Sequence, residues 1–420
     1  GCLSVWPTVC LFVWLSVFLS VCLAGLAVLL GGYGLRVVLR DRRDNYQLQN
    51  EYLIKGEKFV ETLPKVDVLV AARDEENVIE RLVSRLLSIE YPEEKISLWI
   101  IDDGSQDRTP DLLKKLRTSF SRINVLSRPL MSGGGKSGAL NSVLNKTDGD
   151  WLFILDADAQ LQSNVLLRAI ALALRGGWSA VQLRKSVVNC ELNQIASYQA
   201  MEMAMDAVIQ RGRLASGGVS ELRGNGQLIN RKVLECCGGF NEQTITDDLD
   251  LSFRFLLTRS PIVIMWDPPI QEEAVESLSA LFRQRKRWAE GGLQRFFDYW
   301  PLLISNRLSN FKKIDLSCFF LLQYVLPVVS FIDFIVSIIL FETPLYWPLS
   351  IVAFGISSLA FWKGCSQNSE GPRLPSPNFI NILGATIYLA HWFIVIPFIA
   401  VKMSLFRKTL IWEKTDHIGS

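Results

Sequence analysis

An α/β domain joined to membrane-spanning helices is the architecture this sequence predicts, and three observations carry the prediction. Between Val66 and Leu155, short apolar runs of strand length alternate with amphipathic segments of helix length. Charge-poor apolar stretches, long enough to cross a bilayer, lie on both sides of that region. With 49% of 420 residues hydrophobic and only 20% charged, a soluble domain of ordinary size leaves ample chain for membrane segments.

Residues 2–35 contain no charged side chain, and Arg36, Arg40, Arg42 and Arg43 follow directly. The positive-inside rule places what comes next on the cytoplasmic side. So long a run without a cleavage site reads as an anchor rather than a secretory signal. Because the chain starts at Gly1 instead of Met, a preceding segment is expected, with room for a further span. Residues 41–64 are polar and read as a linker.

Residues 66–72 read as a strand, and 77–88 as a helix with Val78, Leu82, Leu86 and Leu87 on one side. A second strand, 97–101, ends in Asp102-Asp103-Gly104-Ser105. Thr109-Pro110 supplies an N-cap and a first-turn proline for a helix to Phe120. Strands over 123–126 and 151–155 complete a βαβα rhythm, which argues for a parallel sheet covered by helices.

After Ala180 the pattern is irregular. Residues 192–211 look helical, with Met201, Met203 and Met205 offering an adaptable apolar surface. Residues 217–226 are glycine-rich and carry Glu221, Arg223 and Asn225. Thr246 caps a helix whose first turn, Asp247-Asp248-Leu249-Asp250, suits the positive end of the helix dipole. Residues 277–300 form another helical stretch, mixing Arg285, Lys286 and Arg287 with Trp288, Phe296, Phe297, Tyr299 and Trp300. Such a mixture just before a membrane span fits an amphipathic helix at the lipid interface.

Three apolar runs follow, over 316–341, 345–362 and 378–401. Asp333 in the first needs a partner or a cavity, and Lys312-Lys313 before it keeps the domain cytoplasmic. If all three runs crossed, the basic tail with Lys402, Arg407 and Lys408 would end outside, against the same rule. One of them is therefore expected to be re-entrant, interfacial or a hairpin.

Several chemistries are excluded. A net charge of +2 carries no nucleic-acid signature. Eight cysteines without a C-x-x-C pair fit a reduced compartment. With His391 and His417 as the only two histidines, a histidine-ligated zinc site or a Ser-His-Asp triad is disfavoured. Gly133-Gly134-Gly135-Lys136-Ser137 looks like a phosphate loop, but Leu130 occupies the position of the first Walker A glycine. A lysine in a glycine-rich turn before a helix still suits a diphosphate.

The positive case begins with Asp156 and Asp158, where the fourth strand runs out. Ligands of open α/β sheets sit beyond the carboxyl ends of the strands. Two carboxylates there, all-oxygen donors, suit Mg²⁺ or Mn²⁺. Asp-x-Asp alone is a common pattern; what raises its standing is order. Asp102-Asp103-Gly104, Asp156-Ala157-Asp158, Thr246-Asp247-Asp248 and Gln284-x-x-Arg287-Trp288 occur in sequence between Val66 and Trp300. This set resembles that of the membrane-integrated family 2 glycosyltransferases, whose fold is called GT-A. The third motif departs slightly, since the family often has Thr-Glu-Asp.

The resemblance implies an inverting, metal-dependent sugar transfer from a UDP-sugar. Ala71, Arg73, Glu75, Asp103 and Lys136 would then meet the nucleotide-sugar, with Arg287 on the diphosphate. Asp156 and Asp158 would hold the metal, Asp158 more directly, with Asp156 shared with the nucleotide-sugar. Asp248 would be the general base, with Glu221, Asn225, Asp247, Gln284 and Trp288 around the acceptor. Stretches such as Glu221-Leu-Arg-Gly-Asn-Gly-Gln227 and Thr244-Ile-Thr-Asp-Asp-Leu-Asp-Leu251 are similar to those of the cyanobacterial branch that glucosylates diacylglycerol. By that likeness the donor is UDP-glucose, the acceptor 1,2-diacylglycerol and the setting a plasma or thylakoid membrane, with the catalytic domain facing the cytosol. The region 296–300 would then sit where the lipid hydroxyl meets the headgroup layer.

The expected organisation is an N-terminal transmembrane segment (1–40), the linker (41–64) and a cytosolic GT-A domain (65–275). Interfacial helices (276–313), a C-terminal membrane region (314–402) and a basic tail (403–420) follow. A processive polysaccharide synthase of the cellulose or hyaluronan type shares these motifs but threads its polymer through a channel of several spans, and only about four apolar runs are present. A transporter or receptor with a cation-binding cytosolic domain is the remaining alternative.

Overall fold

The computed structural model describes residues 5–40 and 63–405, with side chains described from Val21 onward. Most of the expected linker and of the basic tail, including Arg407 and Lys408, lies outside the described residues.

The strands are β1 (Val66–Ala72), β2 (Ile96–Asp102), β3 (Ile123–Ser127), β4 (Trp151–Asp156), β5 (Ala180–Val187), β6 (Gln227–Asn230) and β7 (Ile262–Glu272). They form one seven-stranded sheet in the order β3-β2-β1-β4-β6-β5-β7. The first four are parallel, as their apolar runs imply. Every residue of β1 is buried, because helices cover both faces. Val66, Val68 and Val70 enter one core cluster, and Leu69 and Ala71 enter the other.

The sheet is mixed rather than parallel throughout: β6 runs antiparallel to both β4 and β5. Its four residues offer only Leu228 and Ile229 as apolar signal. Helix ends also differ from expectation. The helix after β2 starts at Thr109, whose hydroxyl does not cap it but accepts the Glu75 N–H at 2.8 Å. Thr246 does precede the helix Asp247–Leu257, again without a side-chain cap.

Four helical stretches among the described residues are long and apolar enough to cross a bilayer: Val21–Leu39, Asn310–Leu340, Trp347–Ser366 and Phe379–Leu405. The first, third and fourth pack against the helix Gln194–Ala215, which lies beside β5, and Asn310–Leu340 meets it through the Arg213–Asp315 ion pair. A Cβ at Gly212 would come 1.8 Å from the Val37 carbonyl oxygen, and one at Gly384 would come 2.1 Å from the Tyr198 hydroxyl. Only glycine admits these approaches, so these apolar helices are seated directly on the α/β domain. Asp333 has its partner: it accepts the Tyr346 N–H at 2.8 Å.

Candidate active site

Strand register brings together the residues expected to meet the nucleotide. Ala71 lies opposite Ile101 on one side and Asp156 on the other, and Ala72 lies opposite Asp102. The turns that follow these strands lock together. Asp74, held at φ 53°, donates its N–H to Ser105 Oγ at 2.9 Å and accepts the Gln106 N–H at 2.6 Å. A non-glycine residue in that conformation persists only where its surroundings impose it. Asp103 is buried in an ion pair with Arg128, whose second nitrogen donates to the Gly133 carbonyl at 2.8 Å. Burial raises the Asp103 pKa, opposed by Arg128 and Arg73.

At the end of β4, Asp156 accepts from Lys136 Nζ, while its own N–H donates to Asn225 Oδ1 at 3.0 Å. Lys136 opens the helix Gly135–Leu144 after three glycines with φ of 74°, 71° and 52°. Asp158 is buried, and its carboxyl is pushed up to about 8, by burial first and then by repulsion from Asp156 and Glu272. Lys185 counteracts this and also pairs with Glu272 at 2.9 Å. Lys185 and Glu272 line the same cavity as the aspartates, yet the sequence reading missed both. They sit on β5 and β7, strands that it did not recognise.

The donor set fits a divalent cation. Asp156 and Asp158 offer hard oxygen ligands in a spot where a second negative charge is disfavoured without a cation. Among the described residues no group of three or more metal-ligating side chains exists. That matches an ion that takes one or two carboxylates and completes its shell with substrate phosphates and water.

Asp248 faces this cavity from the first turn of its helix. Burial, then the neighbouring Asp247, pushes its carboxyl up to about 6, against the pull of Arg223, Lys185 and Lys136. A carboxylate held there is a better base than a free one at neutral pH. The chain at Gly224 passes close by, since a Cβ on it would stand 3.7 Å from Asp248 Oδ2.

On the helix Leu278–Leu303, Gln284, Arg287 and Trp288 line the cavity. Arg285 does so too but is fully buried, bonded to Glu202 at 2.5 Å and to the Tyr388 hydroxyl at 3.0 Å. Its guanidinium stands 4.1 Å from the Trp288 ring centre, which fixes the orientation of the indole. Further along, Phe296 is buried while Phe297 and Trp300 are exposed.

Two expected acceptor residues sit behind the wall instead of on it. Neither Glu221 nor Asn225 is among the residues lining the cavity. Glu221 is fully buried and salt-bridged to Arg213 at 3.2 Å, and to Arg223 and Arg295 at 2.9 Å each. Arg73 and Asp103 also stand outside the lining, beside Ala71 and Glu75, which belong to it.

The cavity encloses about 680 Å³ and is continuous from Glu75 and Asp156 to the membrane helices. Its far walls include Tyr33 and Val37, Gln323 and Pro327, Phe354 and Ile356, and Trp392.

A GT-A-like mixed sheet, with an acidic pair at the end of β4 and a third buried carboxylate, that of Asp248, facing it across the same cavity, is the arrangement of a sugar-transferring enzyme. Residues 64–291 match the family described as glycosyltransferase like family 2, and the chain belongs to that family. It is 39% identical over 405 residues to a beta-monoglucosyldiacylglycerol synthase of Trichormus variabilis, covering 96% of this chain and 84% of the relative. A Synechocystis protein of the same name is 40% identical over 370 residues, covering 87% and 77%. The fold is also that of the mannosyltransferase PcManGT from Pyrobaculum calidifontis, solved with GDP-Man and Mn²⁺. The TM-score is 0.55 at 16% identity, with 91% of this chain and 99% of that one covered.

Proposed function

We propose that this enzyme transfers glucose from UDP-glucose to the free hydroxyl of 1,2-diacylglycerol with inversion, releasing UDP and β-monoglucosyldiacylglycerol. The observation that carries the proposal is the single cavity. One end holds the paired aspartates, and the other is walled by apolar side chains of membrane helices. A soluble sugar acceptor needs no such second half; a lipid whose hydroxyl must reach a cytosolic base does. The names of the cyanobacterial relatives support the same donor class and acceptor.

In this reading, Asp248 takes the proton of the lipid hydroxyl while that oxygen attacks the anomeric carbon and the bond to the diphosphate breaks. Lys136 and Arg287 neutralise charge growing on the leaving UDP. Asp156 and Asp158 hold Mg²⁺ or Mn²⁺, which adds to that neutralisation when bound. A departing metal-bound diphosphate needs no acid to protonate it, so one base suffices. Ala71, Arg73, Glu75 and Asp103 form the uridine end, and Asp247, Gln284 and Trp288 border the acceptor. Glu221 and Asn225 serve by fixing the loop behind Asp248 and the Asp156 amide.

The reading extends to topology and to the domain limits 65–275, 276–313 and 314–402. Helices Val21–Leu39, Asn310–Leu340 and Trp347–Ser366 cross, with the catalytic domain in the cytosol. Phe379–Leu405 lies along the interface instead. Its 27 residues would span about 40 Å as a helix, yet contacts with the catalytic domain and with the helix Leu278–Leu303 recur along it. Gly384 meets Tyr198, Trp392 Nε1 donates to Glu202 at 3.1 Å, and Lys402 pairs with Glu290 at 2.8 Å. The basic tail then remains cytosolic, as the positive-inside rule demands.

Membranes containing the enzyme, given a panel of UDP-sugars and diacylglycerol, test the proposal by thin-layer chromatography. An organic-soluble glucolipid is expected. Insoluble polymer would instead mark a processive synthase, and an absence of metal-dependent UDP release with any lipid would mark a non-enzymatic membrane protein.

A further inference from the structure

Within the membrane half of the cavity, the helix Asn310–Phe320 passes into Leu326–Leu340 through a π-helical turn, Leu321–Val325. The turn has a local cause. Pro327 has no N–H, so the Gln323 carbonyl loses its α-helical donor, and the Leu326 N–H reaches back five residues to the Leu321 carbonyl. Such turns interrupt transmembrane helices frequently at functional sites.

Gln323 is carried on this turn and lines the cavity that also contains Asp248. Its Oε1 is buried and has no hydrogen-bond partner among the described residues. The membrane half of the cavity is mostly apolar, lined by Leu322, Pro327, Phe354 and Phe393, with Tyr324 and Ser357 among its few polar side chains. A buried amide oxygen without a donor is costly unless something that enters the cavity supplies one.

We infer that Gln323 is an acceptor-binding residue, receiving a hydrogen bond from the free hydroxyl of the incoming lipid before that hydroxyl reaches Asp248. The inference rests on the lipid-acceptor reading above. Diacylglycerol carries one hydrogen-bond donor, its hydroxyl, and the rest of the molecule is ester and hydrocarbon. An unpaired acceptor in an apolar passage therefore recognises the substrate through that group alone. The bond is a ground-state one. It is released when the proton passes to Asp248, and the glucosylated product no longer has that hydroxyl. Gln323 thus favours acceptor entry over product retention, and its loss raises the KM for lipid without lowering kcat.

The test compares wild type, Gln323→Met and Gln323→Glu in detergent–lipid micelles, with dioleoylglycerol as acceptor and its 3-deoxy analogue as competitive inhibitor. Expected for Gln323→Met is a KM for dioleoylglycerol about tenfold higher, the worth of one hydrogen bond to an otherwise unpaired buried group. The KM for UDP-glucose stays within about twofold and kcat rises in step with the lipid KM, because the lost bond is one the transition state does not make, while Gln323→Glu, which keeps an oxygen there, reverses most of both changes. The 3-deoxy analogue binds wild type about tenfold more weakly than the substrate, and Gln323→Met narrows that ratio. An unchanged lipid KM in Gln323→Met, or a 3-deoxy analogue that binds wild type as tightly as the substrate, overturns the inference; the second needs no variant to fold. If wild type glucosylates no lipid at all, the proposed function fails instead.

Discussion

Replacing Asp248 by Asn keeps the shape of the side chain and removes its charge and basicity. The site makes the expected size and pH signature specific. Burial and Asp247 hold the wild-type carboxyl near 6, above the ordinary Asp range. The active form is the deprotonated one, so the wild-type rate should fall as pH drops through about 6, tenfold per pH unit below it. General-base assistance is worth roughly 10²–10⁴ in rate, and Asp248→Asn should lose that factor in kcat and lose the acid limb with it. Asp247→Asn removes the second-largest cause of the shift, so its limb should move to lower pH with activity largely retained. Initial rates of glucolipid formation from pH 5 to 9 at saturating metal, with UDP affinity from calorimetry, measure all three. UDP binding to Asp248→Asn should stay within about threefold of wild type, because Lys136, Arg287 and the aspartate pair are untouched. A variant within tenfold of wild type, or an acid limb that survives the substitution, would refute Asp248 as the base.

Three further outcomes are expected. Glu221→Ala leaves Arg295 buried without its carboxylate, at a cost of about 3–5 kcal/mol, read as a lower unfolding temperature in detergent; an unchanged temperature would contradict the network. Chelation of divalent ions should stop turnover and Mg²⁺ or Mn²⁺ restore it, with Asp158→Asn needing far more metal for half-maximal rate. A tag after Ser420 should be protected from protease in sealed right-side-out vesicles, and its digestion there would mean that Phe379–Leu405 crosses.

Strands β1 to β4 were legible because each is an apolar run ending at a polar turn, the pattern of a strand buried on both faces. The later strands were not. β5 carries Arg184 and Lys185 in its middle, charges that speak against a buried strand until their partners are known. Those partners, Asp267 and Glu272, lie on β7, over eighty residues away in sequence, and β7 itself contains Pro268 and Pro269. Motif residues stood out by type and order: Asp103 follows β2, Asp156 ends β4, Asp248 lies in the first turn of its helix and Arg287 within the helix Leu278–Leu303. Glu221 carried a polar signature that a site and a buried ion cluster share. Only its three arginines, from separate parts of the chain, tell the two apart.

Under the proposed topology and role of Asp248, those arginines also explain how a cytosolic base comes to sit at a fixed height above a bilayer. Glu221 joins Arg213 on the helix Gln194–Ala215 to Arg295 on the helix Leu278–Leu303. Arg213 continues to Asp315 at 2.8 Å, and Asp315 accepts from the Tyr33 hydroxyl at 2.8 Å on the N-terminal membrane helix. Arg223 ties the Glu221 carboxylate to Asp206 and precedes Gly224, the residue whose backbone passes Asp248. Buried ion pairs of this kind add little net stability, because desolvation offsets their attraction. They are, however, intolerant of displacement, since a shifted partner leaves a bare charge. A chain of them from Tyr33 to Gly224 therefore makes the depth of the membrane helices and the position of the base a single geometric quantity. For an acceptor whose hydroxyl is held at the headgroup level by its own acyl chains, that coupling is what brings oxygen and base together.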